Sequence, residues 1–154
     1  MTSEQLRLFT VAEISLKYST KVKASDRPKI AGSQDADEQF RIVWNHQEME
    51  LRESFKAMYL NRSNRVLGIS TISEGGLSGT VVDVRLILAT ALKAGASSII
   101  LCHNHPSGNL KPSEADYVIT NKIRDAGKVM DIQVLDHLIL TDDSYFSFSD
   151  EGLM

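Results

Sequence analysis

The chain has 154 residues, 42% apolar and 24% charged, which suits one globular domain with a hydrophobic core of its own. Seventeen basic against twenty acidic side chains leave a net charge of −3, an argument against a broad nucleic-acid surface. One cysteine excludes an internal disulfide framework and a cysteine-only zinc site, and no apolar run reaches the ~18 residues of a membrane span. A reduced, cytoplasmic protein with no membrane segment is the expectation.

In chain order, Ile14, Leu16 and Tyr18 alternate with polar residues, so Val11 to Tyr18 reads as a half-buried strand. Lys21 to Gln34 is a polar loop. A helix follows from Asp35 to about Asn45, with Phe40, Val43 and Trp44 on one face and acids at its positive end. The acidic residues Glu48, Glu50 and Glu53 read as a solvated charged face. Residues 55–60 and 65–69 flank the turn-like Asn61-Arg-Ser-Asn64 and predict a hairpin. Ser73 to Thr80, rich in glycine, is a loop. Asp83 to Ala94 is a helix, with Gly95 where a left-handed cap belongs. Ser98 to Cys102 is a buried central strand, ended by His103-Asn104-His105-Pro106. Pro112-Ser113 opens a third helix to about Gly127, and residues 133–140 and 145–148 are the last strands. The class is α/β or α+β with a mixed sheet.

Two histidines at i and i+2 on a strand face the same side, so His103 and His105 can reach one point while Cys102 and Asn104 face away. Asp116, in the first turn of the next helix, can fold back as a third ligand. Two histidines and a carboxylate leave one tetrahedral position open, the arrangement of a catalytic rather than a structural zinc site. Water held there has its pKa lowered to about 7. Glu74, in the glycine-rich loop, is placed as general base and then general acid. Ser113 is placed as hydrogen-bond donor to an oxyanion. Each has a plainer reading: Ser113 and Asp116 also form a capping box, and Glu74 alone is a polar loop residue. His46 and His137 read as structural. A contiguous His-Asn-His does not supply the spread geometry of an HNH nuclease.

These residues resemble the JAMM (Jab/MPN) metalloprotease motif: an upstream Glu, His-x-His-Pro, then Ser and Asp at fixed spacing, matched by Glu74, His103, His105, Pro106, Ser113 and Asp116. The wording is closest to the RadC-like branch, in Leu77-Ser-Gly-Thr80, His103-Asn-His-Pro-Ser-Gly108, Leu135-Asp-His-Leu-Ile139 and Tyr145-Phe-Ser-Phe-Ser149. The likeness runs from roughly Phe55 to Leu153. It implies a cytidine-deaminase-like fold with a mixed sheet between helices over residues 51–154, and residues 1–50 form an N-terminal strand, loop and helix packed on it or extending it. It further implies zinc held by His103, His105 and Asp116, with Glu74 as proton shuttle, and hydrolysis of a peptide or isopeptide bond in a protein or peptide substrate. Longer members carry a helix-hairpin-helix DNA-binding region that the first fifty residues do not resemble, which weighs against DNA binding. The alternative is an accessory or DNA-repair-associated binding module without turnover.

Overall fold

The computed structural model describes residues 2–3, 11–12, 14–19, 21–77 and 79–154. Their centre is a five-stranded sheet in the order β2-β1-β3-β4-β5. The strands are β1 (Ser54–Leu60), β2 (Val66–Glu74), β3 (Ser98–Asn104), β4 (Gln133–Leu140) and β5 (Tyr145–Ser147). Only β3 and β4 run parallel; β1 is antiparallel to both β2 and β3, and β4 to β5. The class expected from the sequence, a mixed sheet between helices, is the one found.

Among the described residues three α-helices cover the sheet: α1 (Ser33–Val43), α2 (Val84–Ala94) and α3 (Glu114–Val129). Strand alternation sorts the core into two clusters. On one face Met58, Leu60, Ile100, Cys102 and Leu138 pack under Ala36 and Phe40 of α1 and under Trp44. On the other, Phe55, Ala57, Tyr59, Ile99 and Leu101 pack against Ile87 and Ala91 of α2 and Ile123 of α3. Each fully buried Leu, Ile, Met or Phe side chain among these contributes about 1.5–3 kcal/mol. The helix ends follow their chemistry. The Asp83 carboxylate accepts from the Arg85 amide at the start of α2, and Gly95 closes that helix at φ 68°.

The strand expected over Val11–Tyr18 is not formed by the residues described there. Residues 14–19 lie outside every strand, with Ile14 90% and Leu16 77% exposed. The segment has alternation but no ladder partner; the Tyr18 hydroxyl donates to the Leu67 carbonyl at 2.8 Å. Glu13 falls outside the described residues. The glycine-rich loop is also shorter than expected, because β2 continues through Glu74.

Candidate metal centre

β3 carries His103 on the α2/α3 face, and His105 follows just beyond the strand end, its amide donating to the Leu140 carbonyl. The two Nε2 atoms stand 2.9 Å apart. Asp116 completes the group from the first turn of α3: Oδ1 is 3.2 Å from His103 Nε2, and Oδ2 is 3.2 Å from His105 Nε2. The capping box aims this carboxylate. The Ser113 amide donates to Asp116 Oδ2 at 2.8 Å and the Asp116 amide donates to Ser113 Oγ at 3.1 Å. Helix capping and presentation of the acid are therefore one arrangement, and the two readings of Ser113 and Asp116 do not compete.

The hydrogen-bond network assigns the protons. The Thr120 hydroxyl donates to the Asp116 carbonyl oxygen at 2.6 Å, so it accepts from His137 Nδ1, also at 2.6 Å. His137 Nε2 then accepts from His103 Nδ1 at 2.7 Å. Burial, followed by the neighbouring His103, pushes the His137 pKa well below its usual value, in keeping with a neutral acceptor ring. His105 Nδ1 donates to the Asn109 carbonyl at 2.6 Å. Both Nδ1 protons are thus spoken for, and both Nε2 lone pairs point at one spot. A proton on either Nε2 makes that ring a cation, and two such cations at 2.9 Å repel. A single divalent ion satisfies both lone pairs and the carboxylate together, so this donor set fits a metal. The supports are His137 for His103 and a backbone carbonyl for His105. Asp136 is not among them; its carboxylate is taken by Ser147 Oγ and by the amides of His137 and Ser149.

The acid facing these histidines is Glu53, not Glu74. Glu53 Oε1 lies 3.8 Å from His103 Nε2, and ligand atoms of Glu53, His103 and His105 fall within 4.8 Å of one another, which makes them a possible metal-holding trio. Asp116 is nearer, at 3.2 Å to both rings. Burial raises the Glu53 pKa, against the lowering pull of His103 and His105. Burial also opposes the charge on Asp116, but whenever His103 and His105 carry their second protons, their bonds to it hold its pKa far below the usual carboxylate range.

Glu74 sits at the end of β2, half exposed, 3.7 Å from Arg52 Nη1, and lines a separate small cavity with Trp44, Glu48 and Lys56. A register shift puts it there. Phe55 pairs with Ser73 but Lys56 with Thr71, which leaves Ile72 as one extra residue in β2. Unbroken alternation from Thr71 would carry Glu74 to the histidine face, and the bulge sends it to the α1 face. The sequence signal for Glu53 is its place two residues before Phe55. Phe55 pairs with His103, and that register continued by two residues sets Glu53 opposite His105.

The group opens into a cleft of about 600 Å³ between Leu77, Gly79 and Thr80 on one side and the segment from Pro106 to Ser113 on the other. Phe55, Leu77, Val82 and Ile119 give it apolar walls, and Lys111 stands among its polar ones. Ser113 Oγ accepts from the Asp116 amide, which leaves its own proton free to donate into the cleft. Among the described residues no helix is long and apolar enough to cross a membrane.

A family model described as RadC-like JAB domain matches residues 32–153, taking in α1 as well as the sheet. A "UPF0758 protein" of Flavobacterium johnsoniae is 52% identical over 101 residues, covering 66% of this chain and 44% of that protein. Proteins of the same name from Porphyromonas gingivalis and Methanosarcina mazei are 36% and 32% identical over 91% and 96% of this chain. The chain spans 62% and 63% of those two relatives, so each extends well beyond the matched region.

Proposed function

The chain belongs to the RadC-like JAB domain family, and from that premise we propose that it is a zinc-dependent hydrolase of a peptide or isopeptide bond. His103, His105 and Asp116 are the metal ligands in this reading. The observation that carries it is the pair of imidazole lone pairs meeting at 2.9 Å beside one carboxylate. Zinc, when bound, supplies a Lewis acid that polarises the scissile carbonyl and makes a nucleophilic water available near neutral pH.

The remaining work belongs to the chain. Glu53, rather than Glu74, takes the water's proton on a carboxylate oxygen and returns it to the leaving nitrogen, a task helped by its raised pKa. The Ser113 hydroxyl donates to the carbonyl oxygen as negative charge develops there. Phe55, Val82 and Ile119 shield the reacting group from bulk water, and the open cleft beside them suits an extended peptide.

Metal analysis paired with a peptide-library cleavage assay, with and without chelator, tests the reading. About one zinc per chain and chelator-sensitive cleavage are expected. A His103→Ala protein that holds metal as well as the wild type, or cleavage indifferent to chelator, would overturn it.

A further inference from the structure

The residue between the two histidines faces away from the cleft, and both protons and the oxygen of its side-chain amide are engaged. Asn104 is fully buried on the α1 face. Its Nδ2 donates to the Met49 carbonyl at 2.7 Å and to the Arg52 carbonyl at 2.8 Å, and its Oδ1 accepts from the Ser54 amide at 2.8 Å. Turning the amide over would set its oxygen against two carbonyls, so the orientation is fixed. All three partners lie in residues 49–54, the segment that delivers Glu53. The regular β1–β3 pairing ends at Phe55 and His103, and the Asn104 side chain continues the attachment past that point. On the far side the Glu53 amide donates to the Gly76 carbonyl and the Gly75 amide to the Glu53 carbonyl, the Thr80 backbone bonds to the Glu53 carboxylate, and Arg52 reaches Glu74.

We propose that Asn104 is a positioning residue which, from the opposite face of the sheet, fixes Glu53 at the right distance from the ring it faces. His103-Asn104-His105 then specifies three groups at once: two ligands by the odd residues, and the place of the acid by the even one. The inference rests on the reading of Glu53 as the proton carrier. It makes Asn104 dispensable for holding metal and necessary for using it.

Asn104→Ala and Asn104→Ser separate these roles, the second keeping a small polar group in the buried site. Zinc content should stay at the wild-type level, because no ligand is touched. Amide hydrogen exchange at Glu53 and Ser54 should speed by about tenfold or more while α3 and β4 keep their protection. In the cleavage assay kcat should fall with KM little changed, and adding Glu53→Gln should cost almost nothing further, since both act through one group. Unchanged exchange over residues 49–54, or loss of zinc in step with activity, would overturn the inference. So would the failure of both variants to fold, which would make Asn104 a determinant of the whole fold. If the wild type shows no chelator-sensitive cleavage, the hydrolase reading fails by itself, and the exchange and zinc measurements still decide for or against Asn104.

Discussion

β3 presents two different surfaces from one run of seven residues. Toward α2 and α3 it shows Ile99, Leu101 and then His103; toward α1 it shows Ile100, Cys102 and then Asn104. The apolar stretches are equivalent, each a buried row under helices. The polar ends are not: one presents its Nε2 to a cleft, and the other is closed by three hydrogen bonds. A polar residue at a strand end is thus assigned its work by parity. The same rule divides Glu53 from Glu74, which lie next to each other across the β1–β2 hairpin and serve opposite faces.

The sharpest break of this contrast is Glu53→Gln against Glu74→Gln. Cleavage by the first should fall by about 10²–10⁴ with zinc retained, the range a proton-transfer group commands. The second should stay within about twofold, because it disturbs only an exposed ion pair with Arg52. Equal losses in the two would erase the distinction between the faces. His103→Ala should bring zinc content, read by elemental analysis, from about one per chain to near zero, whereas Cys102→Ser, next to it on the other face, should leave that content unchanged.

The apolar rows should respond alike. Leu101→Ala and Ile100→Ala, on opposite faces, should each cost about 2–5 kcal/mol in denaturant unfolding. A large difference between them would show one helix layer to be loosely packed. The smallest effect concerns Asp136, whose pKa is raised by burial against the pull of Ser147 and two amides. A carboxyl raised on folding binds its proton more tightly in the native state, so it costs stability at neutral pH, and that cost fades as pH falls through the raised value. Asp136→Asn removes a contribution that grows more favourable as pH falls, so the variant should lose stability more steeply on the acid side, with a change under about 1 kcal/mol at pH 7. A shallower acid loss in the variant would contradict the sign.

Much of this was legible in the chain. Period-two spacing placed both imidazoles on one side, the Ser113-Glu-Ala-Asp116 pattern placed the carboxylate that joins them, and Gly95 marked the end of α2. These are local signals, each read within a few residues. The acid that faces the histidines was misplaced because its position depends on two non-local facts. One is the antiparallel docking of β1 on β3, which brings Glu53 across from His105; the other is the single extra residue in β2, which turns Glu74 away. Neither leaves a mark in composition, and Glu53 sits in a charged stretch that looks like ordinary solvated surface. The N-terminal alternation of Ile14, Leu16 and Tyr18 failed for the converse reason: a local pattern makes a strand only when a neighbouring edge receives it.

Asp116 holds two posts, since the oxygen that meets His105 is also the one that receives the Ser113 amide. Occupancy of the centre and the tightness of the first turn of α3 are consequently linked quantities, each biasing the other by the same free energy. If the proposed ion binds there, stripping it should fray the mouth of the crossover joining β3 to β4, and the ion would then also serve as a clasp on the framework that presents it.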